Sequence, residues 1–185
     1  MKLWKKIFIF GLIPSLFALT TAAFYLAEKK SGLSQLGNSQ PQSVSALSVI
    51  LKANPPAVKA GDKLVVNVLI AGNFADSVSA ADLQLSYPAD MLKFIDSRPG
   101  DIWTKAIKLK DEANPQSGSA HLSIGKGIAA EITASPVLAI FEFQVLSSYS
   151  AGIKLELENS TRFARLGGGS QPVPYQTVPM MISAN

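Results

Sequence analysis

The sequence predicts an all-β body, a two-sheet β-sandwich, preceded by one N-terminal hydrophobic helix. Three observations carry this. From residue 46 onward, apolar residues recur at alternate positions in short runs, the spacing of strands with one buried face. Gly, Pro, Asn and Asp clusters separate these runs, and none extends into a helical period. Before residue 46 the chain instead carries one uncharged apolar run and then a polar stretch. The chain therefore divides into 1–27, a signal peptide or signal-anchor; 28–45, a flexible linker; and 46–185, the sandwich domain.

Ile7 to Ala27 contains no charged residue. As a helix it spans roughly 31 Å, enough for a bilayer core. Two readings are open. As a signal peptide, Lys2, Lys5 and Lys6 form the basic region and Thr20 to Ala23 offers small residues for cleavage. As an uncleaved anchor, the run continues through Phe24, Tyr25 and Leu26 past that point. We favour the anchor, with the lysine distribution placing the N-terminus inside and the domain on the extracytoplasmic side; secretion after cleavage is the alternative. Glu28 to Ser45 is rich in Ser, Gln, Gly and Asn and reads as a spacer. The net charge of +4 arises before residue 31; the rest holds 12 basic and 12 acidic residues. A neutral body argues against nucleic-acid binding. The absence of cysteine excludes a disulfide framework or a Cys-based zinc site.

Within the body, Ala46 to Ala53 alternates Leu47, Val49 and Leu51 against Ser48, Ile50 and Lys52, and Asn54-Pro55-Pro56 ends it. Lys63 to Ile70 places Leu64, Val66, Val68 and Ile70 on one face. Val78 to Tyr87 places Ala81, Leu83, Leu85 and Tyr87 inward and Asp82, Gln84 and Ser86 outward, with Pro88 stopping the ladder. Met91 to Ile95 leads into the Pro99-Gly100-Asp101 turn. Lys105 to Lys110 alternates weakly, and Asp111 to Ser119 reads as an exposed loop. Ala120 to Gly125 is a short strand. Gly125 to Pro136 is compatible with a helical turn or with a flap across a sheet edge. Val137 to Leu146 turns Phe141, Phe143 and Val145 inward, and Gly152 to Glu158 does the same with Ile153, Leu155 and Leu157. Gly167 to Gly169 is a loop. Tyr175 to Ile182 is the closing strand, with Pro179 marking a bulge or edge. That makes about eight or nine short strands.

Gly61-Asp62 before a Val-rich strand, then Leu83-x-Leu85-x-Tyr87, Leu92 five residues on, and Pro99-Gly100-Asp101-Ile102 at this spacing resemble a cohesin domain. The resemblance covers roughly residues 46 to 183. It departs at the corner, where Tyr87 is followed directly by Pro88 and Asp90 stands two further on. The resemblance implies a jelly-roll order. It also implies a flat sheet face that binds a dockerin-type partner on another chain, with Asp82 at the position of an acidic contact residue. Gln84 and Ser86 share that face. Ala80, two before Asp82, replaces a polar residue that is often found there.

No arrangement points to catalysis, and no cofactor or metal is expected. His121 is the one histidine, with no nucleophile elbow to serve. Asp111-Glu112 and Glu156/Glu158 are explained by a polar loop and a solvated strand face. Asn159-Ser160-Thr161 fits a glycosylation acceptor. The alternative function is carbohydrate binding by a similar sandwich module, with polysaccharide as ligand. Trp103 is then the stacking residue, joined by Tyr149 and Tyr175, although a core or corner plug also explains Trp103. A structural envelope domain without a dedicated ligand is the third reading.

Overall fold

The computed structural model describes residues 46–72, 75–147, 152–166 and 173–184. The hydrophobic helix expected at 7–27, the linker at 28–45, the 167–169 loop and Tyr149 lie outside the described residues. Contacts divide the chain into two units, 1–43 and 44–185, and every described residue belongs to the second.

That unit is a two-sheet sandwich. Its strands are β1 (Leu47–Asn54), β2 (Ala57–Val58), β3 (Lys63–Ala71), β4 (Val78–Ser86), β5 (Leu92–Pro99), β6 (Ala106–Asn114), β7 (Ser119–Lys126), β8 (Val137–Val145), β9 (Ile153–Leu157), β10 (Arg162–Arg165), β11 (Tyr175–Thr177) and β12 (Met180–Ala184). One sheet has the order β11-β1-β3-β8-β5. The other has β2-β12-β9-β4-β7-β6, with β10 also pairing β4. Short alternating strands favour this outcome: each contributes a row of branched or aromatic side chains to one interior and exposes the rest. Leu64, Val66, Val68 and Ile70 from β3, Leu83 and Leu85 from β4, and Phe141 and Phe143 from β8 are all buried, on the faces that the alternation assigns them. Tyr87 packs on Phe143 with ring centroids 5.0 Å apart.

Three features differ from the sequence reading, and a fourth stretch follows one of the two alternatives it left open. Residues 111–114 are strand, not loop, and the β6–β7 hairpin turns at 115–118. β6 is an edge strand exposed at nearly every position, so no alternation marks it. The closing segment is two strands in different sheets. β11 runs parallel to β1, and β12 pairs antiparallel with β9. Pro179, which has no N–H to give to a ladder, stands between them. β2 and β10 have no counterpart in the sequence pattern, since each is too short to show a period. The 125–136 stretch is the flap rather than a helix: Ile132 bridges Trp103, and Thr133 N–H donates to the Ile102 carbonyl at 2.8 Å.

The corner after β4 is held by backbone bonds. Tyr87 N–H donates to the Gly118 carbonyl at 2.7 Å, and Leu92 N–H donates to the Pro88 carbonyl at 2.9 Å. Gly118 is required here. Its φ is 65°, and a Cβ would lie 2.1 Å from the Tyr87 carbonyl oxygen. The Tyr87 hydroxyl is buried without a hydrogen-bond partner.

The two edge strands β5 and β6 are tied by Lys108, Asp111 and the fully buried Ser97. Lys108 Nζ donates to the Ser97 carbonyl and to Asp111 Oδ2, both at 2.7 Å, and Ser97 Oγ donates to Asp111 Oδ1 at 2.5 Å. Burial works to raise the Asp111 carboxyl, but the bonds from Lys108 and Ser97 and the Lys108 charge outweigh it and hold it below its ordinary value. A depressed carboxyl contributes stability above its unfolded value, near pH 4, and loses that contribution as pH falls through the folded value. Asp111→Asn is therefore expected to cost about 1 kcal/mol at pH 7. In urea melts across pH, the gap to wild type should close below about pH 4.

Candidate functional site

β4 lies inside the larger sheet, between β7 on one side and β9 and β10 on the other. Its alternation puts Ala80, Asp82, Gln84 and Ser86 on the outer face, as the sequence predicts. The neighbours in register complete the surface. Ser123, Lys110 and Arg162 align with Asp82; His121 and Glu112 align with Gln84; Gly125, Ile107 and Ala164 align with Ala80. The face thus grades from a polar end near Ser86 to an apolar end near Ala80.

At its centre is a cluster that the sequence did not reveal. His121 Nε2 lies 2.5 Å from Asp82 Oδ1, Ser123 Oγ donates to the same oxygen, and Ser123 Oγ is 3.3 Å from His121 Nε2. The Ala120–Gly125 alternation puts His121 and Ser123 on one face, but only the β4–β7 register brings them to Asp82. Burial works to raise the Asp82 carboxyl. The hydrogen bonds from Ser123 and His121, with the charges of His121 and Lys110, outweigh it and hold the carboxyl below its ordinary value. Serine, histidine and aspartate here do not form a proton relay. Such a relay needs the two ring nitrogens to face different partners, whereas Nε2 faces both Asp82 and Ser123.

Gln84 is anchored rather than free. Its side-chain carbonyl accepts from Ser160 Oγ. Its backbone N–H donates to Thr161 Oγ1 at 3.1 Å, and its carbonyl accepts from Glu158 N–H at 2.8 Å. Buried Thr161 thereby bridges the gap in β4's ladder where β9 stops and β10 begins. Ser86 pairs with Ser119 and Glu156.

The apolar end carries three large aliphatic side chains in water: Ile128 is 96% exposed, Leu166 88% and Leu109 67%. Leu109 lies over Gly125, where a Cβ would sit 3.7 Å from its Cδ1. Ile128 and Leu166 flank a concavity of about 680 Å³ that Ser77, Ser79 and Lys126 also line. Ile128 is held out by its turn. Gly127 N–H donates to the Lys105 carbonyl at 2.7 Å, Ala130 N–H closes onto the Gly127 carbonyl, and Ala129 has φ 57°. A non-glycine residue in that region costs roughly 1–2 kcal/mol, so the turn is maintained against strain.

Trp103, the alternative sugar-binding residue, is 3% exposed and packs in the core. That burial leaves no ring face for a sugar to stack on. Tyr175 is also engaged: its ring edges Phe163 at 5.0 Å, and its hydroxyl donates to the Glu158 carbonyl. Among the described residues, no group of three or more His, Asp or Glu side chains converges on a metal position.

The cohesin-domain family model matches residues 49–182. Solved structures share the fold at low identity. The cohesin of OlpA from Clostridium thermocellum, solved with a dockerin, superposes with a TM-score of 0.62 at 13% identity, covering 76% of this chain and 99% of that one. The seventh type I cohesin of ScaB from Pseudobacteroides cellulosolvens gives 0.59 at 18%, over 76% and 92%. The sixth cohesin of scaffoldin B from Acetivibrio cellulolyticus, in complex with a dockerin, gives 0.57 at 17%, over 76% and 100%. No curated protein sequence matches the chain.

Since the Ser123 hydroxyl is among the bonds that hold the Asp82 carboxyl down, Ser123→Ala is expected to raise the Asp82 titration midpoint. Carboxyl carbon shifts followed by NMR across the acid range would measure this. An unmoved midpoint would mean that the hydroxyl does not bond the carboxylate in solution.

Proposed function

The chain belongs to the cohesin family, and from that premise we propose that it is a binding module that docks a dockerin-type partner on another chain through the outer face of β4, β6, β7 and β10. The observation that carries this is the set of exposed aliphatics Leu109, Ile128 and Leu166 beside the Asp82 cluster. Exposed apolar groups next to an ordered polar centre suit an interface, in which the former supply buried area and the latter fixes register. The solved relatives include cohesins in complex with dockerins. On the outer face of the smaller sheet the central acid is already engaged by cations of its own sheet: Glu142 meets Lys63 at 2.6 Å and Arg98 at 3.1 Å.

In this reading Asp82 is the acceptor at the centre, and Gln84 and Ser86 extend the polar end. The chemistry is binding alone. Strands that pass repeatedly between the two sheets support a jelly-roll order. Ile7 to Ala27 acts as the membrane tether and residues 28–45 as the spacer, which places the face on the extracytoplasmic side. The intact 19.6 kDa chain should then remain in washed membranes; a shorter form in the medium would instead mean cleavage and secretion.

Docking itself is tested by pull-down with purified dockerin modules from the chain's own genome. Wild type is expected to retain at least one. Asp82→Lys and Ile128→Asp should each weaken it by at least about tenfold, as expected when a charge is mispaired or buried at an interface. Equal recovery by wild type and both variants would remove this face from the interaction.

A further inference from the structure

The regulation of the docking face, which rests on the docking reading above, can be argued from the Asp82 carboxylate. Both of its protein contacts fall on Oδ1, from His121 and from Ser123. Among the described residues no side chain bonds Oδ2, and the Asp82 side chain is 46% exposed. A partner's donor therefore meets an acceptor whose charge is shared with an imidazole. We propose that docking is coupled to protonation of His121. The neutral ring is the docking-competent form, and His121 is a positioning residue for Asp82.

The two ring states act differently on the shared carboxylate. A neutral imidazole that carries its proton on Nε2 donates one hydrogen bond. It fixes the carboxylate rotamer and leaves a full negative charge on the pair. A protonated ring adds a positive charge beside the same oxygen, so the pair becomes neutral and Oδ2 becomes a poorer acceptor. The surroundings make this change matter. Lys110 on β6 and Arg162 on β10 already flank Asp82 in register, and Lys126 lies further along β7. The acids near the ring are Glu112 on β6 and Glu158 beyond Ser160. Glu112 is paired with Lys110 at 3.0 Å, and the Glu158 carboxylate lies on Ser160 Oγ at 3.4 Å. Neither contact reaches Nε2, which Asp82 holds. Protonation therefore acts directly on the Asp82 carboxylate, the acceptor that the ring already contacts. Asp82 stays ionised meanwhile, because its carboxyl is held below the ordinary value despite burial, which raises it.

The test uses the full chain and the dockerin module recovered by pull-down, with affinity measured by calorimetry at about pH 7.5 and 5.5, the interval in which histidine changes charge. Wild type is expected to weaken at least about fivefold on acidification, the low end for coupled sites. His121→Gln keeps an amide donor that does not titrate. It should hold its pH 7.5 affinity at both values, and His121→Asn should behave alike if either variant is perturbed in its melting. A merely structural role would not separate wild type from these variants by pH. An equal fall in wild type and variants, or a wild type indifferent to pH, overturns the coupling while leaving docking intact. Failure of every module to bind either protein at either pH overturns the docking reading, and the coupling with it.

Discussion

The structure depends on the register of β4. Because strand side chains alternate, one nine-residue segment supplies both Leu83 and Leu85 to the core and Ala80, Asp82 and Gln84 to the outer face. A slip of one residue would exchange the two sets, putting a carboxylate among Phe141 and Phe143 and two leucines in water. Core burial therefore fixes the surface. The hydrophobic term that stabilises the sandwich also fixes where Asp82 stands relative to His121 and Ser123.

Much else comes from having β4 clamped on both sides. β7 pairs along its length, from Ala80 to Ser86. On the other side β9 and β10 share the work, and Thr161 covers the gap between them at Gln84. The centre of the face is thus pinned by a continuous ladder, while its apolar end is built from a turn and a strand end. Among the described residues, a non-glycine with positive φ occurs only at that end, at Ala129, where Ile128 is pushed into solvent. A rigid polar centre with a projecting aliphatic rim can hold a partner in register without a cleft. That geometry suits recognition more than reaction.

How legible this was depended on whether one strand sufficed. The faces of β1, β3, β4, β8 and β9 could be read directly, because each alternates over at least five residues with one side in the core. β6 could not, because an edge strand open on both sides shows no period. The switch of the closing segment between sheets was hidden too: Pro179 announces a break but not its destination. The site divides the same way. The outward facing of Asp82, Gln84 and Ser86 follows from the alternation of β4 alone, whereas their place in a docking site came from the cohesin resemblance. His121 and Ser123 needed the pairing of two strands separated by about forty positions, which no local pattern encodes. Leu109, Ile128 and Leu166 were invisible for a further reason: an apolar residue in a loop or edge strand carries no mark of its exposure until the fold is known.

Docking through this one face, rather than through the opposite sheet or an end of the sandwich, is tested most directly by amide chemical-shift mapping. The isotopically labelled chain would be titrated with a dockerin module that binds it. The expected result is a contiguous footprint on β4, β6, β7 and the 126–130 turn, with little change on β1, β3 and β5. A footprint centred on the five-stranded sheet, with Asp82 and Ser123 unmoved, would contradict it.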